Sequence, residues 1–427
     1  MIGESRTTRL GGPARCLPPG ITRPRRIRPA FAALAVVTIV TSLASACSSG
    51  AGGQSSDAAV TLGASLSLTG ALGSFGVDQQ AGYRQEIADI NAAGGVKIGG
   101  TRRQVKLVVL NNQSDPTTAS QQVRDLVLKD GVQALLGAGT PPITVPEALI
   151  ADTLHVPYLT TNTPVGAFAA GNKSGWKYSW DMFFSETEQA ADIIKAVDSF
   201  PTNRKIALFT DNEPDGVVER PLYKAAAAAA GDQMVGDFSF PVGTTDYTSF
   251  VTSAKAKGAQ IVVGQMDPPD AVALFKQMKS LGYAPKIAII AKAADFISWV
   301  QALGGVAEGS LLEAVWLPSW NYQGTAHVEA TLGKKFDNLG DLGTATAAYS
   351  VAEVLLNALT RAGSTSGSAV NAALGSTSLT TPYGKVAFAA NHTATMGFAV
   401  AQWQGTTTVQ VLPATKGTHL EFPMAGL

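Results

Sequence analysis

The sequence predicts an α/β fold built from two successive units, each organised around a parallel sheet. Along most of the 427 residues, segments with strand patterning alternate with segments with helical patterning, which is typical of parallel sheets. The alternation restarts after residues 178–184, so two series of similar size follow one another. A chain of this length also exceeds what a single hydrophobic core usually serves. We therefore expect two lobes.

The first unit begins with a strand. Apolar residues alternate with others from Val60 to Leu68, which is the period of a strand with one buried face. After a loop at 69–76, Tyr83 and Ile87 follow helical spacing in a helix that Gly94-Gly95 terminates. The elements expected next are a strand at 105–110, a helix starting at Asp115-Pro116, a strand at 134–137, a helix after Pro146 and a strand at 156–160.

The second unit repeats this order with its own strands and helices. Its expected strands are at 205–210, 238–241, 260–264 and 286–291, and its expected helices are at 217–230, 247–256 and 270–281. The first of these helices ends in a run of alanines at 225–230, the residue with the highest helix propensity. A long helical segment at 345–361 then precedes a β-rich tail at 384–411, which we expect to cross between the units.

The N-terminal segment has the features of an export signal. Residues 1–29 carry seven arginines and one acid, and the apolar run at 30–43 is 14 residues long. That length lies within the roughly 7–15 residues of a signal-peptide core and below the roughly 20 that a spanning helix needs. With the following Leu43-Ala44-Ser45-Ala46-Cys47, the segment resembles a bacterial lipoprotein signal, which implies cleavage before Cys47 and acylation of its thiol. The alternative is an uncleaved membrane anchor.

The composition of the remaining chain excludes several classes of function. Beyond residue 46 the chain has six more acidic than basic residues, which argues against nucleic acid as a partner because phosphate binding needs a basic face. Cys16 would leave with the leader and Cys47 would be lipidated, so no thiol remains for a disulfide, a metal or catalysis. The four histidines are scattered, and no phosphate-binding loop or nucleophile elbow is present in the sequence. We expect no cofactor, no bound metal and no enzymatic activity.

Several short stretches carry a family resemblance. They lie at 63–76 (GASLSLTGALGSFG), 87–95 (IADINAAGG), 108–119 (VVLNNQSDPTTA), 156–164 (VPYLTTNTP), 243–250 (GTTDYTSF) and 346–363. In this order, from about Ala58 to about Gln404, the chain resembles type I periplasmic solute-binding proteins of the leucine/isoleucine/valine-binding class. The resemblance implies two Rossmann-like lobes joined by three crossovers, near 178–184, 312–317 and 385–390, with the ligand cleft between the lobes.

On this interpretation the chain divides into four parts. Residues 1–46 form the signal peptide, and residues 47–57, rich in glycine and serine, form a flexible tether. The first lobe comprises 58–180 and 317–384, and the second comprises 185–312 and 390–427. The expected partners are a small-molecule ligand, the permease subunits of an ATP-binding-cassette (ABC) importer and, through the lipid on Cys47, the extracytoplasmic face of the bacterial cell membrane. We expect a monomer.

The ligand site is expected at the carboxyl ends of the strands. In open parallel sheets, ligands bind beyond these ends, where loops and helix N-termini present free N–H groups. The corresponding loops lie at 69–76, 137–142, 160–164, 211–216, 265–270 and 291–295. The first contains Gly70, Gly73 and Gly76, whose spacing differs from the Gly-x-Gly-x-x-Gly of dinucleotide-binding loops. The alternatives for these glycines are a ligand loop or plain turns.

In the first lobe, the resemblance implies that Thr140-Pro141 and Thr161-Asn162-Thr163 hold the α-carboxylate of an amino-acid-like ligand. Hydroxyls and backbone N–H groups are the donors that the family uses there. The same hydroxyls would also serve as helix caps, and the two roles are compatible. Phe75 corresponds to an aromatic wall of the family's cleft, and the alternative is packing within its own loop.

The second lobe departs from the family pattern. Asp215 replaces a tyrosine that usually covers the ligand, and a second family aromatic corresponds to Gln265 or Met266. On an ungapped register, the acid that pairs with a ligand's α-ammonium corresponds to Lys292. A cation there would hold an α-ammonium poorly unless Asp215 or Asp267 supplied the counter-charge. A register shift of one or two residues would instead leave Lys292 in solvent.

Three classes of function remain. The first is an extracytoplasmic solute-binding lipoprotein that captures an amino-acid-like molecule, or a small carboxylate or amide, by hinge closure and delivers it to the permease. The second is a ligand-sensing accessory lipoprotein without a transport role. The third is a cell-envelope enzyme with a carboxylate pair drawn from the acids at 181–188 and 211–215. Most acids in such stretches are solvated or lie at helix N-termini, so we favour the first.

Overall fold

The computed structural model describes residues 58–427. The expected signal peptide (1–46), Cys47 and the tether (47–57) lie outside these residues. The strands are β1 (Val60–Leu66), β2 (Val96–Ile98), β3 (Thr101–Arg103), β4 (Val105–Asn111), β5 (Ala134–Leu136), β6 (Tyr158–Thr160), β7 (Ser179–Phe183), β8 (Lys205–Asp211), β9 (Gln233–Phe240), β10 (Ile261–Gln265), β11 (Ile287–Ala291), β12 (Leu311–Ala314), β13 (Leu379–Thr381), β14 (Gly384–Val386), β15 (Thr393–Thr395), β16 (Ala399–Gln404) and β17 (Thr407–Leu412).

The α-helices fill most of the intervals between these strands. They are α1 (Gly73–Ala92), α2 (Pro116–Leu128), α3 (Pro141–Leu154), α4 (Val165–Ala170), α5 (Glu186–Asp198), α6 (Pro214–Ala230), α7 (Thr248–Ala256), α8 (Pro268–Ser280), α9 (Ile297–Leu303), α10 (Thr325–Thr331), α11 (Leu339–Ala362) and α12 (Gly367–Gly375). Short 3-10 helices lie at Gly304–Ala307, Pro318–Trp320 and Leu332–Lys334. Strands and helices alternate in both units as the sequence predicts, but helices α4, α5, α9, α10 and α12 are not among the expected elements.

The first sheet is parallel throughout. Its strand order is β15-β7-β6-β5-β1-β4, and every neighbouring pair runs in the same direction. Strand β1, which lies between β5 and the edge strand β4, is buried along nearly its whole length, from Val60 to Leu66. Burial of both strand faces is typical of a parallel sheet that helices cover on both sides.

The second sheet is mixed. Its order is β17-β16-β12-β11-β10-β8-β9, in which β8 to β12 are parallel. Strand β16 is antiparallel to β12, and β17 is antiparallel to β16. The C-terminal tail therefore extends the edge of the second sheet, whereas β15 from the same tail pairs with β7 in the first sheet.

The chain passes between the two sheets three times, and each sheet is the centre of one α/β lobe. The first passage follows β7, which itself lies within the expected crossover at 178–184. The second lies between β12 and α11, since α11 packs along α1 of the first lobe. The third lies between β15 and β16, beyond the expected crossover at 385–390.

Helix α11 is a core element of the first lobe. It is 24 residues long and apolar enough to span a membrane, but 89% of its apolar window is buried inside the protein. Its packing against α1 is so close that a Cβ atom on Gly82 would lie 2.1 Å from the carbonyl oxygen of Ala345. This contact explains why a glycine occupies the buried face of α1.

Several elements begin earlier than the sequence predicts, among them β9, α6 and α11, and two such differences lie beside the expected ligand loops. Helix α1 begins at Gly73, inside the loop expected at 69–76, because only Gly70 of the three glycines adopts a positive φ, of 92°. Helix α3 begins at Pro141, before the expected start after Pro146. Proline is well suited to the first helical position, whereas Pro146 lies inside the helix, where it removes one backbone hydrogen bond.

Candidate functional site

A cavity lies between the carboxyl ends of the two sheets. It contains about 460 Å³ of space that no atom occupies, but the centre of a water-sized sphere reaches only about 30 Å³ of it. The residues that line it are Phe75, Thr140, Pro141, Asn162, Pro164, Phe183, Phe184, Gln189, Asp215, Glu219, Gln265, Lys292, Asp295, Glu313, Val315, Gly340 and Thr344. The lobes are therefore closed upon a narrow, mixed polar and aromatic cleft.

All six loops expected to carry the ligand site contribute to this cavity. Seven of the ten residues that the sequence singles out line it, namely Phe75, Thr140, Pro141, Asn162, Asp215, Gln265 and Lys292. The rule that ligands bind beyond the carboxyl ends of parallel strands brings these residues together from both lobes. Their contact with a ligand stays a prediction.

The other three expected residues have structural partners. The Thr161 hydroxyl donates to the carbonyl oxygen of Met182 at 2.8 Å, and the Thr163 hydroxyl donates to the Thr144 hydroxyl at 2.7 Å. Met266 is fully buried in the hydrophobic core of the second lobe. The structure places these side chains beside the cavity wall and not on it.

Three residues of the cavity have left-handed backbone conformations. The φ angle is 72° at Thr140, 60° at Asn162 and 69° at Lys292. Each follows a strand, β5, β6 or β11. Residues other than glycine adopt such positive φ angles at a cost of about 1–3 kcal/mol, and residues with this strain concentrate at functional sites. The strain marks the three strand exits where the backbone turns its side chains into the cleft.

The wall from the first lobe is neutral and aromatic. The Thr140 hydroxyl is buried and has no hydrogen-bond partner within residues 58–427. Asn162 accepts a long hydrogen bond of 3.5 Å from the Gln79 amide. The Phe75 ring meets Phe296 of the second lobe edge-on, with ring centroids 4.5 Å apart. This wall therefore offers a hydroxyl, an amide and aromatic surface.

The wall from the second lobe surrounds a buried lysine. The Lys292 ammonium lies 2.6 Å from the Glu213 carboxylate, 2.6 Å from Asp267 and 3.3 Å from Asp215. Burial alone would lower the pKa of Lys292, but these carboxylates raise its pKa well above the ordinary value. Burial raises the pKa of the neighbouring Asp211 to about 8, although Lys292 opposes that shift. Lys292 is thus a charged and fully compensated cation.

The carboxylates around Lys292 are close enough to form a cation site. One oxygen each from Asp211, Glu213 and Asp215 lies within 4.8 Å of the others. Oxygen ligands at such spacing suit hard cations such as Ca²⁺. The Lys292 ammonium lies among these side chains, so the protein's own lysine supplies the positive charge at this cluster.

Further carboxyl groups continue the same wall. The Glu313 carboxylate accepts a hydrogen bond from the Lys292 backbone N–H at 3.1 Å and another from the Gln189 side chain. Asp295 accepts from the Glu313 N–H at 2.9 Å. Burial raises the pKa of Glu313 to about 7 and that of Asp295 well above its usual range. Burial also raises the pKa of Glu219, which accepts from the Tyr223 hydroxyl at 3.2 Å.

The sequence profile of the periplasmic binding protein family matches residues 59–408 of this chain. The chain belongs to this family. Leu/Ile/Val-binding protein homolog 8 from Brucella abortus (strain 2308) is 25% identical over 240 residues, which are 54% of this chain and 57% of that relative. Homolog 3 from Brucella melitensis is 24% identical over 311 residues, which are 73% of this chain and 81% of the relative. The match thus spans little more than half the length of the first relative.

Solved structures share the fold of this periplasmic binding protein. The leucine-binding protein LivK from Thermotoga maritima has a TM-score of 0.71 at 20% identity, covering 82% of this chain and 97% of that one. The LivJ protein from Streptococcus pneumoniae, in complex with isoleucine, has a TM-score of 0.70 at 20% identity, covering 86% and 100%. An ABC-transporter solute-binding protein from R. palustris, in complex with 4-hydroxybenzoate, has a TM-score of 0.68 at 19% identity, covering 83% and 95%.

These comparisons confirm three expectations. The fold is the two-lobed type I periplasmic binding protein fold. The family consists of ligand-binding proteins, so the prediction that this chain is not an enzyme is confirmed. The family acts outside the cytoplasm.

The sequence analysis did not single out five polar residues in the cavity of this periplasmic binding protein: Gln189, Glu219, Asp295, Glu313 and Thr344. For two of them, Glu219 and Glu313, the sequence contains a pattern that could have indicated a role in the site. Glu219 follows Asp215 by four residues, so both lie on one face of a helix. Glu313 is a single acid inside the apolar strand Leu311–Ala314, and a lone buried charge in a strand indicates a function or a partner.

Proposed function

We propose that this chain is an extracytoplasmic solute-binding lipoprotein of an ABC importer. It would capture an amino-acid-like molecule, or a small carboxylate or amide, and deliver it to the permease. The observation that carries the proposal is the closed cavity, to which loops from the carboxyl ends of both sheets contribute polar side chains. A small molecule bound there would contact both lobes at once.

Hinge closure is the mechanism that this geometry favours. Because the centre of a water-sized sphere reaches only about 30 Å³ of the cavity, a ligand has to enter while the lobes are apart. The closed form is held by contacts across the cleft, including a 2.9 Å hydrogen bond between the hydroxyls of Ser74 and Ser298. The Ile297 N–H also donates to the Asp341 carboxylate of α11 at 2.9 Å. A ligand that touches both walls would shift the population toward this form.

The names of relatives support the ligand class, and the N-terminal sequence supports the anchor. The compared proteins are named as binders of leucine, isoleucine and valine or were solved with isoleucine or 4-hydroxybenzoate. The arginine-rich leader, the apolar run and Cys47 resemble a lipoprotein signal. Acylation at Cys47 would keep the lobes near the membrane-bound permease.

Mass spectrometry of small molecules released from natively purified protein is the direct test. We expect one small polar molecule in near-equal amount with the protein. Adding that molecule back to stripped protein should raise the melting temperature and reduce the radius of gyration in small-angle scattering. Protein that neither compacts nor gains stability with any amino acid, carboxylate or amide would contradict the proposal. Co-purification with a kinase instead of permease subunits would favour a sensory role.

A pair of threonine variants tests the site itself. Thr140→Val removes the unpartnered hydroxyl of the first-lobe wall and should weaken ligand binding about tenfold, the usual effect of losing one buried hydrogen bond. Thr163→Val is the matched control because its hydroxyl bonds to Thr144 outside the cavity lining. The control should lower the melting temperature while its affinity for the ligand stays close to that of the parent protein. Equal affinity in the Thr140 variant and the parent would remove Thr140 from the site.

A further inference from the structure

We propose that closure of the two lobes takes up a proton, which the carboxyl groups of Asp78 and Asp341 hold between them at the contact of the lobes. The inference goes beyond the proposed function and rests on its hinge closure. Asp78 lies on α1 and Asp341 on α11, both in the first lobe, and each residue is only 3% exposed. Both line a groove whose lining residues differ from those of the ligand cavity and which α8 and α9 of the second lobe complete. We call it the seam groove.

A chain of hydrogen bonds crosses from one lobe to the other at this groove. The carboxyl groups of Asp78 and Asp341 are hydrogen-bonded to each other. Asp341 also accepts from the Ile297 N–H of the second lobe at 2.9 Å and from the Asn338 amide at 2.5 Å. An ionised carboxylate is a stronger acceptor than a neutral group. A proton on Asp78 therefore leaves Asp341 ionised to hold the second lobe, whereas two ionised carboxylates in this buried place would repel each other.

The burial of Asp78 favours its protonated form. Its Oδ2 atom is buried without a hydrogen-bond partner among the described residues, so a negative charge there would be poorly compensated. Burial, the charge of Asp341 and the hydrogen bond to Asp341 raise the pKa of Asp78 well above its ordinary value. Burial also raises the pKa of Asp341, but the hydrogen bonds from Asp78, Asn338 and Ile297 oppose that rise. The proton of the pair therefore resides on Asp78.

Few other charges act on this pair. Lys335 is the one other charged residue among the described residues that line the seam groove, and its charge lowers the pKa of Asp78. The exposed Asp337, just before α11, raises the pKa of Asp341. Helices α8 and α9 contribute only uncharged residues to the lining. The second lobe thus adds burial to the pair without adding a counter-charge.

This arrangement links closure to pH. When the lobes separate, Asp341 loses the Ile297 N–H and water reaches Asp78, so the pKa of Asp78 falls toward the ordinary aspartate value of about 3.9. The closed form then holds the proton more tightly than the open form. Above the ordinary value, closure takes up a proton and is favoured as the pH falls. A more acidic medium would therefore strengthen capture of the solute.

Hydrogen exchange of the Ile297 amide in ligand-stripped full-chain protein tests the proposal, because this N–H loses its partner when the lobes open. Mass spectrometry of peptides that contain Ile297 gives its protection factor once the intrinsic exchange rate is divided out. We expect at least about tenfold greater protection at pH 5 than at pH 7, where one linked proton allows about tenfold per pH unit. Strand β10, in the core of the second lobe, is the internal reference because its exchange reports unfolding. Protection that does not rise as the pH falls would overturn the proposal.

Asp78→Asn separates titration of the pair from its packing. The amide keeps a donor for Asp341 but cannot ionise, so protection of Ile297 at pH 7 should reach the parent's value at pH 5 and change by less than about threefold between them. A purely structural role would instead lower protection at both pH values. Asp130→Asn, at an exposed aspartate outside the seam groove, is the matched control and should keep the parent's pH dependence. The parent's pH dependence in the Asp78 variant would also overturn the proposal.

Lys335→Met provides an arm that leaves both carboxyl groups in place. It removes the exposed charge that lowers the pKa of Asp78, so protection of Ile297 at pH 7 should rise about twofold, the scale of an exposed charge pair. Lys334→Met, exposed and outside the groove lining, should match the parent. Lower protection in the Lys335 variant would contradict the pair's role.

The inference and the proposed function can fail separately. If the small molecule recovered from native protein compacts the protein while protection of Ile297 is independent of pH, this inference alone is wrong. If no molecule is recovered and no amino acid, carboxylate or amide compacts the protein, the proposed function fails, and the hinge closure on which this inference rests fails with it.

Discussion

A Cβ atom on Gly340 would lie 1.6 Å from the carbonyl oxygen of Asp295. Gly340 is in the first turn of α11, which packs on the first lobe, and Asp295 follows β11 of the second lobe. Both residues line the cavity. No side chain beyond hydrogen fits between these two backbones, so this contact is available only to glycine.

Gly340→Ala should therefore hold the two lobes apart. Since the clash is with backbone, the added methyl group can be accommodated only by separating the elements that carry the two residues. We expect a larger radius of gyration in the presence of ligand and at least a tenfold loss of affinity. Gly305→Ala is the control, because a Cβ there meets no atom within 4 Å. Closure and affinity equal to the parent's would show that α11 moves freely against the second lobe.

Lys292→Met should destabilise the protein through the carboxylates that it leaves behind. Removing one partner of a buried ionic cluster typically costs about 3–5 kcal/mol. The loss should be smaller at pH 5 than at pH 7.5, because burial raises the pKa of Asp211 and Glu213 and protonation relieves their repulsion. Urea unfolding at both pH values measures this difference. Lys224→Met, which breaks a partly exposed pair with Asp237, should cost less than about 1 kcal/mol.

Glu147 should make the stability of the protein fall with rising pH. Burial raises its pKa to about 8, whereas an unfolded chain has a glutamate pKa near 4.3. Between these values the folded state binds the proton more tightly, so the free energy of unfolding falls by about 1.4 kcal/mol per pH unit and levels off above the folded pKa.

Denaturation curves of Glu147→Gln between pH 6 and 8 check this sign. The variant can still accept from the Ala138 N–H and the Tyr158 hydroxyl, which now lie 3.2 and 3.0 Å from the carboxylate. We expect a shallower pH dependence than in the parent by about 2–3 kcal/mol over this interval. Exposed Glu188→Gln should follow the parent curve. Parallel curves for the Glu147 variant and the parent would mean that Glu147 is ionised in the fold.

Gly82→Ala should destabilise the first lobe. The added Cβ would lie 2.1 Å from the carbonyl oxygen of Ala345 and 2.7 Å from the backbone nitrogen of Tyr349. Overpacking of this kind costs about 1–3 kcal/mol, which exceeds the helix propensity that alanine gains over glycine. Chemical denaturation measures the loss. Gly333→Ala, where a Cβ meets no atom within 4 Å, should change stability by less than about 0.5 kcal/mol.

The strands and the site loops could be predicted because their signals are local. The alternation from Val60 predicts β1, and Asp115 before Pro116 predicts the start of α2, where the Asp115 carboxylate accepts from the Thr118 N–H at 2.6 Å. Strand exits are equally local, so the loops that carry Thr140, Asn162 and Lys292 follow directly from the strands.

The surroundings of Lys292 could not be predicted, because they depend on contacts between distant segments. Its partners Glu213 and Asp267 lie near the ends of β8 and β10, and Lys292 follows β11. Only the register of these three strands brings each of the two carboxylates within 2.6 Å of the Lys292 ammonium. A sequence pattern predicts on which face of its strand a residue lies. It does not predict which charged residues of the neighbouring strands lie beside that residue. For the same reason the sequence did not identify Gln189, which lies on α5 and lines the cleft.

Lys292, which neutralises carboxylates of the second-lobe wall, also affects whether that wall can bind divalent metal ions. Its ammonium lies where the carboxylates of Asp211, Glu213 and Asp215 would otherwise meet a divalent cation. Because this counter-ion is covalently attached, its local concentration does not vary with the calcium or magnesium content of the surroundings. Under the proposed function, closure of the cleft would then depend on the organic solute and not on divalent cations.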